Sequence, residues 1–180
     1  MSIKKKIYTI SFFVVMALLL ISAGLFYQIK YPVKYQDTIN FYSQKYNLDN
    51  KLVASLINEE SSFDVNSVSK SGAVGLMQIL PSTAEYIAGM LKEDYKTINL
   101  KNPTTNIKYG CFYLNYLRQK FSDEKTVLCA YNAGETVVLK WLSNEIYSKD
   151  GEKLDDIPYE VTNNYVNKII LGKKHYIKRI

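Results

Sequence analysis

Between Ile57 and Gln78 the sequence reads INEESSFDVNSVSKSGAVGLMQ, an odd composition for a purely structural stretch. An apolar run ends in Glu59-Glu60, a polar loop follows, and Gly72, Gly75 and a short apolar turn lead to Gln78. Stepping by fours from Leu52 through Leu56 lands on Glu60, so on a helix this carboxyl points along the apolar face. Burial there disfavours the charged form and raises the pKa. A carboxyl tuned in this way holds its proton near neutral pH and can deliver it as a general acid. Glu59 sits about 100° further round the helix and is expected to face solvent. The plain alternative is that both are surface acids.

A second candidate stretch is Ala130 to Gly134, AYNAG. The glycine ends a helix and leaves Tyr131 and Asn132 at its terminus, where side chains reach a ligand or simply cap the helix. Other chemistries have little to work with. The only histidine is His175, so zinc and histidine-based catalysis are not expected, and neither is a cofactor. Cys111 and Cys129 lie among apolar residues and read as small buried hydrophobes, with an extracytoplasmic disulfide as the alternative.

The elements that must position these residues are helices. The spacing predicts one over Gln36–Tyr46. Asp49 caps a second, with Leu52, Val53, Leu56 and Ile57 in phase and Glu60 at its end. Pro81 opens a third running to about Leu91. Asn102-Pro103 starts a longer one striped by Ile107, Cys111, Leu114, Leu117 and Phe121. Asp123 caps the next, through Val127, Leu128 and Ala130. A further helix is expected over Glu135–Ile146, with Val138, Leu139 and Leu142 apolar. The last runs from Pro158 to about His175, with Tyr165, Val166, Ile169 and Ile170 facing inward. Loops fall at 61–71, 92–102 and 148–157. No alternating strand pattern occurs, so the expected class is all-α in a single domain over 31–180.

Ahead of that domain, Ile7–Tyr27 runs 21 residues without a charge, preceded by Lys4, Lys5 and Lys6. As a helix it is about 31 Å long, the thickness of a bilayer's hydrocarbon. The lysines favour an N-terminus inside and a C-terminus outside. Residues 1–30 therefore read as a signal-anchor or transmembrane segment, with a cleaved signal at Ser22, Ala23 and Gly24 as the alternative. Either reading places the domain on the extracytoplasmic side, single-pass at the cell membrane or secreted. The net charge of +6 owes much to this segment. Lys4, Lys5, Lys6 and Lys30 carry no acid among them, which leaves 19 basic and 17 acidic residues beyond. That balance makes no nucleic-acid surface. It fits a mild attraction to an anionic wall or membrane.

Read together, these motifs resemble the soluble-lytic-transglycosylase-type catalytic domain, glycoside hydrolase family 23. The residues that carry the resemblance are Glu60-Ser61 at a helix end, Gly72-Ala73-Val74-Gly75-Leu76-Met77-Gln78, Pro81 with Thr83-Ala84, Ala130-Tyr131-Asn132-Ala133-Gly134, Ile157-Pro158-Tyr159 and Asn164-Tyr165-Val166. Their order and spacing agree across roughly 36–178. The resemblance implies a lysozyme-like fold and action on peptidoglycan glycan strands, with Glu60 as sole catalytic acid and base. Ser61 and Ser69 match serines near the site. Gln78, Tyr131 and Asn132 match residues lining the sugar groove, and Tyr165 matches a tyrosine that orients the glutamate. Leu76 and Met77 are groove floor or packing. One run departs from the family: Val161-Thr162-Asn163 stands where Glu-Thr-Arg is common, and Glu160 is given no role.

A lone glutamate implies chemistry without a second carboxylate, in which the substrate's own N-acetyl group stabilises charge at C1. Asp64 and Glu85 are conceivable partner acids outside the matched motifs. A goose-type muramidase, which hydrolyses the same bond, and a non-catalytic wall-binding protein are the alternative readings. The sequence names no protein partner.

Overall fold

The computed structural model describes residues 3–177 and 180. Residues 1–2 and 178–179, at the ends of the expected segments, lie outside the described residues. The chain divides into two units, Met1–Pro32 and Val33–Ile180. The first is helix α1, Ile3–Lys30, none of whose residues is buried. It is long and apolar enough to cross a membrane, with a hydropathy of 2.4 over its most apolar window.

The second unit is helical, as its sequence periodicity requires. Helices α2 (Gln36–Lys45), α3 (Asn50–Ser61) and α4 (Pro81–Leu91) are followed by a 3-10 turn at Tyr95–Thr97. Then come α5 (Pro103–Lys120), α6 (Glu124–Ala133), α7 (Glu135–Leu142) and α8 (Glu160–Lys173), the last ending in a second 3-10 turn, Lys174–Tyr176. Among the described residues, extended pairing is limited to two isolated bridges, Val68 with Val74 and Val74 with Ile79.

Helix starts follow their caps. Asp49 accepts from Lys51 N, Asn102 from Thr105 N and Asp123 from Thr126 N. Each supplies an acceptor to an amide that has no partner inside its own helix. The predicted boundaries fail at two places. Helix α7 stops at Leu142 and not Ile146 because Asn144 takes the backbone into a turn, its Oδ1 accepting from Ile146 N. Ile146, beyond the helix end, is exposed, and so is Leu139 on the outer face of α7, which buries Val138, Trp141 and Leu142 instead. Helix α8 begins at Glu160, two residues after Pro158, and Ile170 is only half-buried.

The core lies where α3 packs on α8, α6 packs on α7 and α8, and α2 packs on α3 and α5. The α3–α8 seam is close because Gly172 has no side chain: a Cβ there would stand 2.4 Å from Ser55 Oγ. Ser55 is buried, and its hydroxyl donates to the Ile169 carbonyl at 2.7 Å. The two cysteines are buried free thiols on α5 and α6, so no disulfide joins them.

Candidate active site

Leu52 and Leu56 are buried, and Glu60, one turn beyond Leu56, continues the same face at intermediate exposure. Helix α3 ends immediately afterwards. Ser62 and Phe63 both take positive φ, 51° and 63°, and so reverse the chain behind the carboxyl. A left-handed conformation costs a non-glycine residue about 1–2 kcal/mol; burial of Phe63 helps to hold it. From α8, Tyr165 donates its hydroxyl proton to Glu60 Oε1 at 2.6 Å.

Electrostatics at Glu60 favour the acid form. Burial is the largest influence, the Tyr165 hydrogen bond opposes it, and Glu59 adds a smaller push upward. The net effect raises the carboxyl from 4.5 to about 7. Glu59 does not stand free in solvent: its Oε1 pairs with Lys168 Nζ of α8 at 2.8 Å. The two phenols nearest Glu60, Tyr165 and Tyr131, are pushed well above their usual range, mainly by burial and then by the carboxylate, and remain neutral.

The loop from Val74 to Gln78 forms the next part of the site. Its carbonyls are satisfied by side chains from several elements. Asn106 Nδ2 donates to Val74 O at 2.8 Å, and Gln78 Nε2 to Gly75 O at 2.9 Å. Ser61 Oγ donates to Leu76 O at 2.9 Å, and Tyr131 Oη to Met77 O at 2.9 Å. Asn106 also accepts from Met77 N at 2.7 Å and donates to Leu100 O at 2.8 Å. Gly75 is required where it is, because a Cβ would lie 2.3 Å from Asn106 Nδ2 at a φ of 80°. Leu76 and Met77 are fully buried and are packing, not groove floor.

Residues 78–80 and Thr83 form part of a cleft of about 230 Å³, completed by Tyr113 of α5 and residues 131–134 at the end of α6. Thr83 and Tyr113 also border a neighbouring cleft of about 260 Å³ with Tyr86, Tyr116 and Glu135. There the Tyr86 and Tyr116 rings meet edge-on, and Glu135 accepts from Tyr116 and pairs with Lys120. The two clefts meet at Thr83 and Tyr113.

The predicted site residues thus take different positions. Glu60 and Tyr165 are in contact, and Gln78, Tyr131 and Asn132 line one cleft. Ser61 ties the end of α3 to the loop. Ser69 keeps its bonds within its own loop, accepting from Ala73 N and pairing with Ser71, with none to Glu60. Asp64 accepts from Asn66 N on the surface, and Glu85 and Glu160 are exposed. Sequence reasoning missed Asn106, whose signal was a polar residue beside Ile107 on the buried side of α5. It also gave no role to Thr162, which is buried and donates to Asn132 Oδ1 at 2.9 Å. Among the described residues no group of three or more His, Cys, Asp or Glu side chains is placed to hold a metal.

Residues 37–154 match the family model described as the transglycosylase SLT domain. Over 151 residues the chain is 31% identical to the soluble lytic murein transglycosylase of Salmonella typhimurium, covering 82% of this chain and 23% of that protein. It is 26% identical over 167 residues to the membrane-bound lytic murein transglycosylase C of Haemophilus ducreyi, covering 80% of this chain and 46% of that one. The crystal structure of the 70 kDa soluble lytic transglycosylase of Escherichia coli superposes with a TM-score of 0.71 at 27% identity, over 83% of this chain and 25% of that chain. The chain therefore spans about a quarter of the soluble relatives it matches and just under half of the membrane-bound one.

Proposed function

The chain belongs to the transglycosylase SLT family, and from that premise we propose that residues 31–180 form a lytic transglycosylase domain acting on peptidoglycan glycan strands. The bond cut is the β-1,4 link from N-acetylmuramic acid to N-acetylglucosamine. The observation that carries this reading is the Glu60 carboxyl, partly buried, bonded to Tyr165 and raised to about 7.

Protonated Glu60 gives its proton to the departing glycosidic oxygen. The N-acetyl carbonyl oxygen of the muramic acid bonds to C1 as the C1–O bond breaks, so no second carboxylate is needed. Glu60, now a carboxylate stabilised by the Tyr165 hydroxyl, removes the proton from the 6-hydroxyl of the same sugar. That oxygen displaces the acetamido oxygen at C1 and closes a 1,6-anhydro ring. Glu60's first proton stays on the leaving sugar, the proton of the 6-hydroxyl restores the acid, and water is neither consumed nor released. Because nucleophile and electrophile share one sugar, the closure carries a large effective molarity.

Helix α1 serves in this reading as a single-pass anchor, Lys4, Lys5 and Lys6 staying on the cytoplasmic side. The catalytic domain then faces the wall from the extracytoplasmic side of the membrane.

The test is Glu60→Gln. The amide keeps the shape and its oxygen can still accept from Tyr165, but its N–H protons are far too weakly acidic to be transferred to the leaving oxygen. Turnover on purified sacculi should fall by about 10³-fold or more, the order expected from loss of a general acid. Near-normal turnover in the variant would overturn the role of Glu60. Mass spectrometry of the parent's digest should show muropeptides lighter by one water than hydrolysis products. Reducing ends of full mass would instead identify a muramidase, and no cleavage at all a wall-binding protein.

A further inference from the structure

Helix α3 ends on two consecutive acids, and α8 supplies a partner to each. Glu60 accepts from the Tyr165 hydroxyl at 2.6 Å, and Glu59 pairs with the Lys168 ammonium at 2.8 Å. Tyr165 and Lys168 are neighbours on one face of α8, a single turn apart. The mechanism uses the first contact and leaves the second without a task. Carboxylates are poorly placed at this end of α3, because the unpaired carbonyls of a last turn carry partial negative charge. The helix has no basic residue of its own in that turn. Lys168 supplies the missing cation from the neighbouring helix. The titratable groups facing the two acids are Tyr165 and Lys168 from α8 and Tyr131 from α6. Another α8 lysine, Lys173, pairs with Asp49 at the opposite end of α3.

The Glu59 side chain is only 25% exposed, so water screens its charge poorly and the carboxylate bears on the residue next to it. A like charge so near disfavours ionisation of Glu60. We propose that Lys168 is a positioning residue for the reaction: it clamps the Glu59 carboxylate and shields Glu60 from its charge, so that Glu60 can give a proton in the first step and take one in the second at the same pH. This rests on the glycan-cleaving reading above and adds to it a residue that touches no reacting atom. A group that serves first as acid and then as base works best when both of its forms are within reach at the working pH. With Glu59 unpaired, Glu60 would hold its proton too firmly for the first transfer. Lys168 itself is 65% exposed, so replacing it removes a charge without opening the core.

Titration of Glu60 tests the proposal separately from turnover. Full-length protein in detergent micelles, isotopically labelled at its glutamate carboxyls, reports it by NMR, the Glu60 signal being the one that Glu60→Gln removes. Lys168→Met should raise the titration midpoint of Glu60 by about 0.5 pH unit, the order expected for one poorly screened charge beside it. Glu59→Gln, which removes that charge, should lower the midpoint. In the Glu59→Gln background no carboxylate is left to clamp, so adding Lys168→Met should move the midpoint less than half as far. Lys168→Arg retains the cation and should keep the parent's midpoint. Melting temperatures show that each variant is folded; a merely structural brace would change them and leave the midpoint where it is. The alkaline limb of turnover on sacculi should move in the same direction as the midpoint. A midpoint unchanged or lowered in Lys168→Met would overturn the proposal, and so would an equal shift in the Glu59→Gln background. Anhydro products with a midpoint indifferent to Lys168 would remove the clamp alone. The midpoint shifts without any cleavage of sacculi would remove the reaction and leave the clamp.

Discussion

The α3–α8 seam and the loop over residues 62–80 both serve Glu60, and they are held together by different means. Along the seam each helix satisfies its own backbone, and the contact is made by size: Gly172 admits Ser55, and Tyr165 reaches Glu60. The loop satisfies only part of its own backbone: Val74 O accepts from Ile79 N and Gly75 O from Gln78 N. The Leu76 and Met77 carbonyls take side-chain donors from Ser61 and Tyr131, and Asn106 and the Gln78 side chain add bonds to Val74 O and Gly75 O. A buried polar group without a partner is costly, so the loop's shape is as firm as its least replaceable donor. The comparison teaches that the acid is placed by packing and the loop ending at Gln78 by side-chain hydrogen bonds, and the two should fail differently.

The largest expected effect is on the loop. Asn106→Leu keeps the branched shape but strands Met77 N and the Leu100 carbonyl, two buried groups at about 1–3 kcal/mol each. Urea unfolding should show a loss of about 3–5 kcal/mol, or a domain that no longer folds. A loss under about 1 kcal/mol would mean that the loop does not depend on Asn106. On the seam, Gly172→Ala should cost about 1–3 kcal/mol by overpacking against Ser55 Oγ. Adding Ser55→Ala removes the obstructing atom, so the double variant should be more stable than the two single losses sum to. Strict additivity in that cycle would contradict a close approach at this point.

Next in size is the stability cost of the acid itself. Folding raises Glu60 from 4.5 to about 7, so between these values the folded chain holds more protons than the unfolded one. Glu60's contribution is therefore fully present below 4.5 and lost as pH rises through about 7. Glu60→Gln should accordingly be more stable than the parent at pH 8 by about 1–3 kcal/mol, with the gap closing in acid. A gap unchanged with pH would show that the carboxyl is not held protonated by its surroundings.

The smallest effect concerns the contact where the seam meets the acid. The Tyr165 hydrogen bond lowers the Glu60 pKa, so Tyr165→Phe should move it further up. In the proposed reaction Glu60 starts protonated, so activity of the parent should decline as pH rises through about 7. In Tyr165→Phe that alkaline limb should shift to higher pH, read from the pH profile of kcat/KM. A shift to lower pH would reverse the role assigned to the hydroxyl.

Much of this architecture was legible in the chain. The caps at Asp49, Asn102 and Asp123 mark helix starts, and the helices of the folded unit keep their predicted order. The phase Leu52, Leu56, Glu60 turns the carboxyl inward because a helix repeats over distances the sequence displays directly. The apolar length of residues 7–27 likewise needs only the chain. The failures at α7 and α8 were of local competition, where Asn144 offered the backbone a turn in place of another helical bond.

What the sequence alone determined was the set of helices, the inward face of Glu60 and the residue types gathered near it. What only the tertiary structure decided was which polar atoms line the cleft and which hold the loop. Ser61 and the Tyr131 hydroxyl hold the loop, Gln78 does so with one end of its amide, and Asn106 and Thr162 emerged as braces. The physical reason is that helical phase is set by near neighbours along the chain, whereas a hydrogen bond is set by whichever partner packing brings within 3 Å or so. For Glu60 that partner lies 105 residues away.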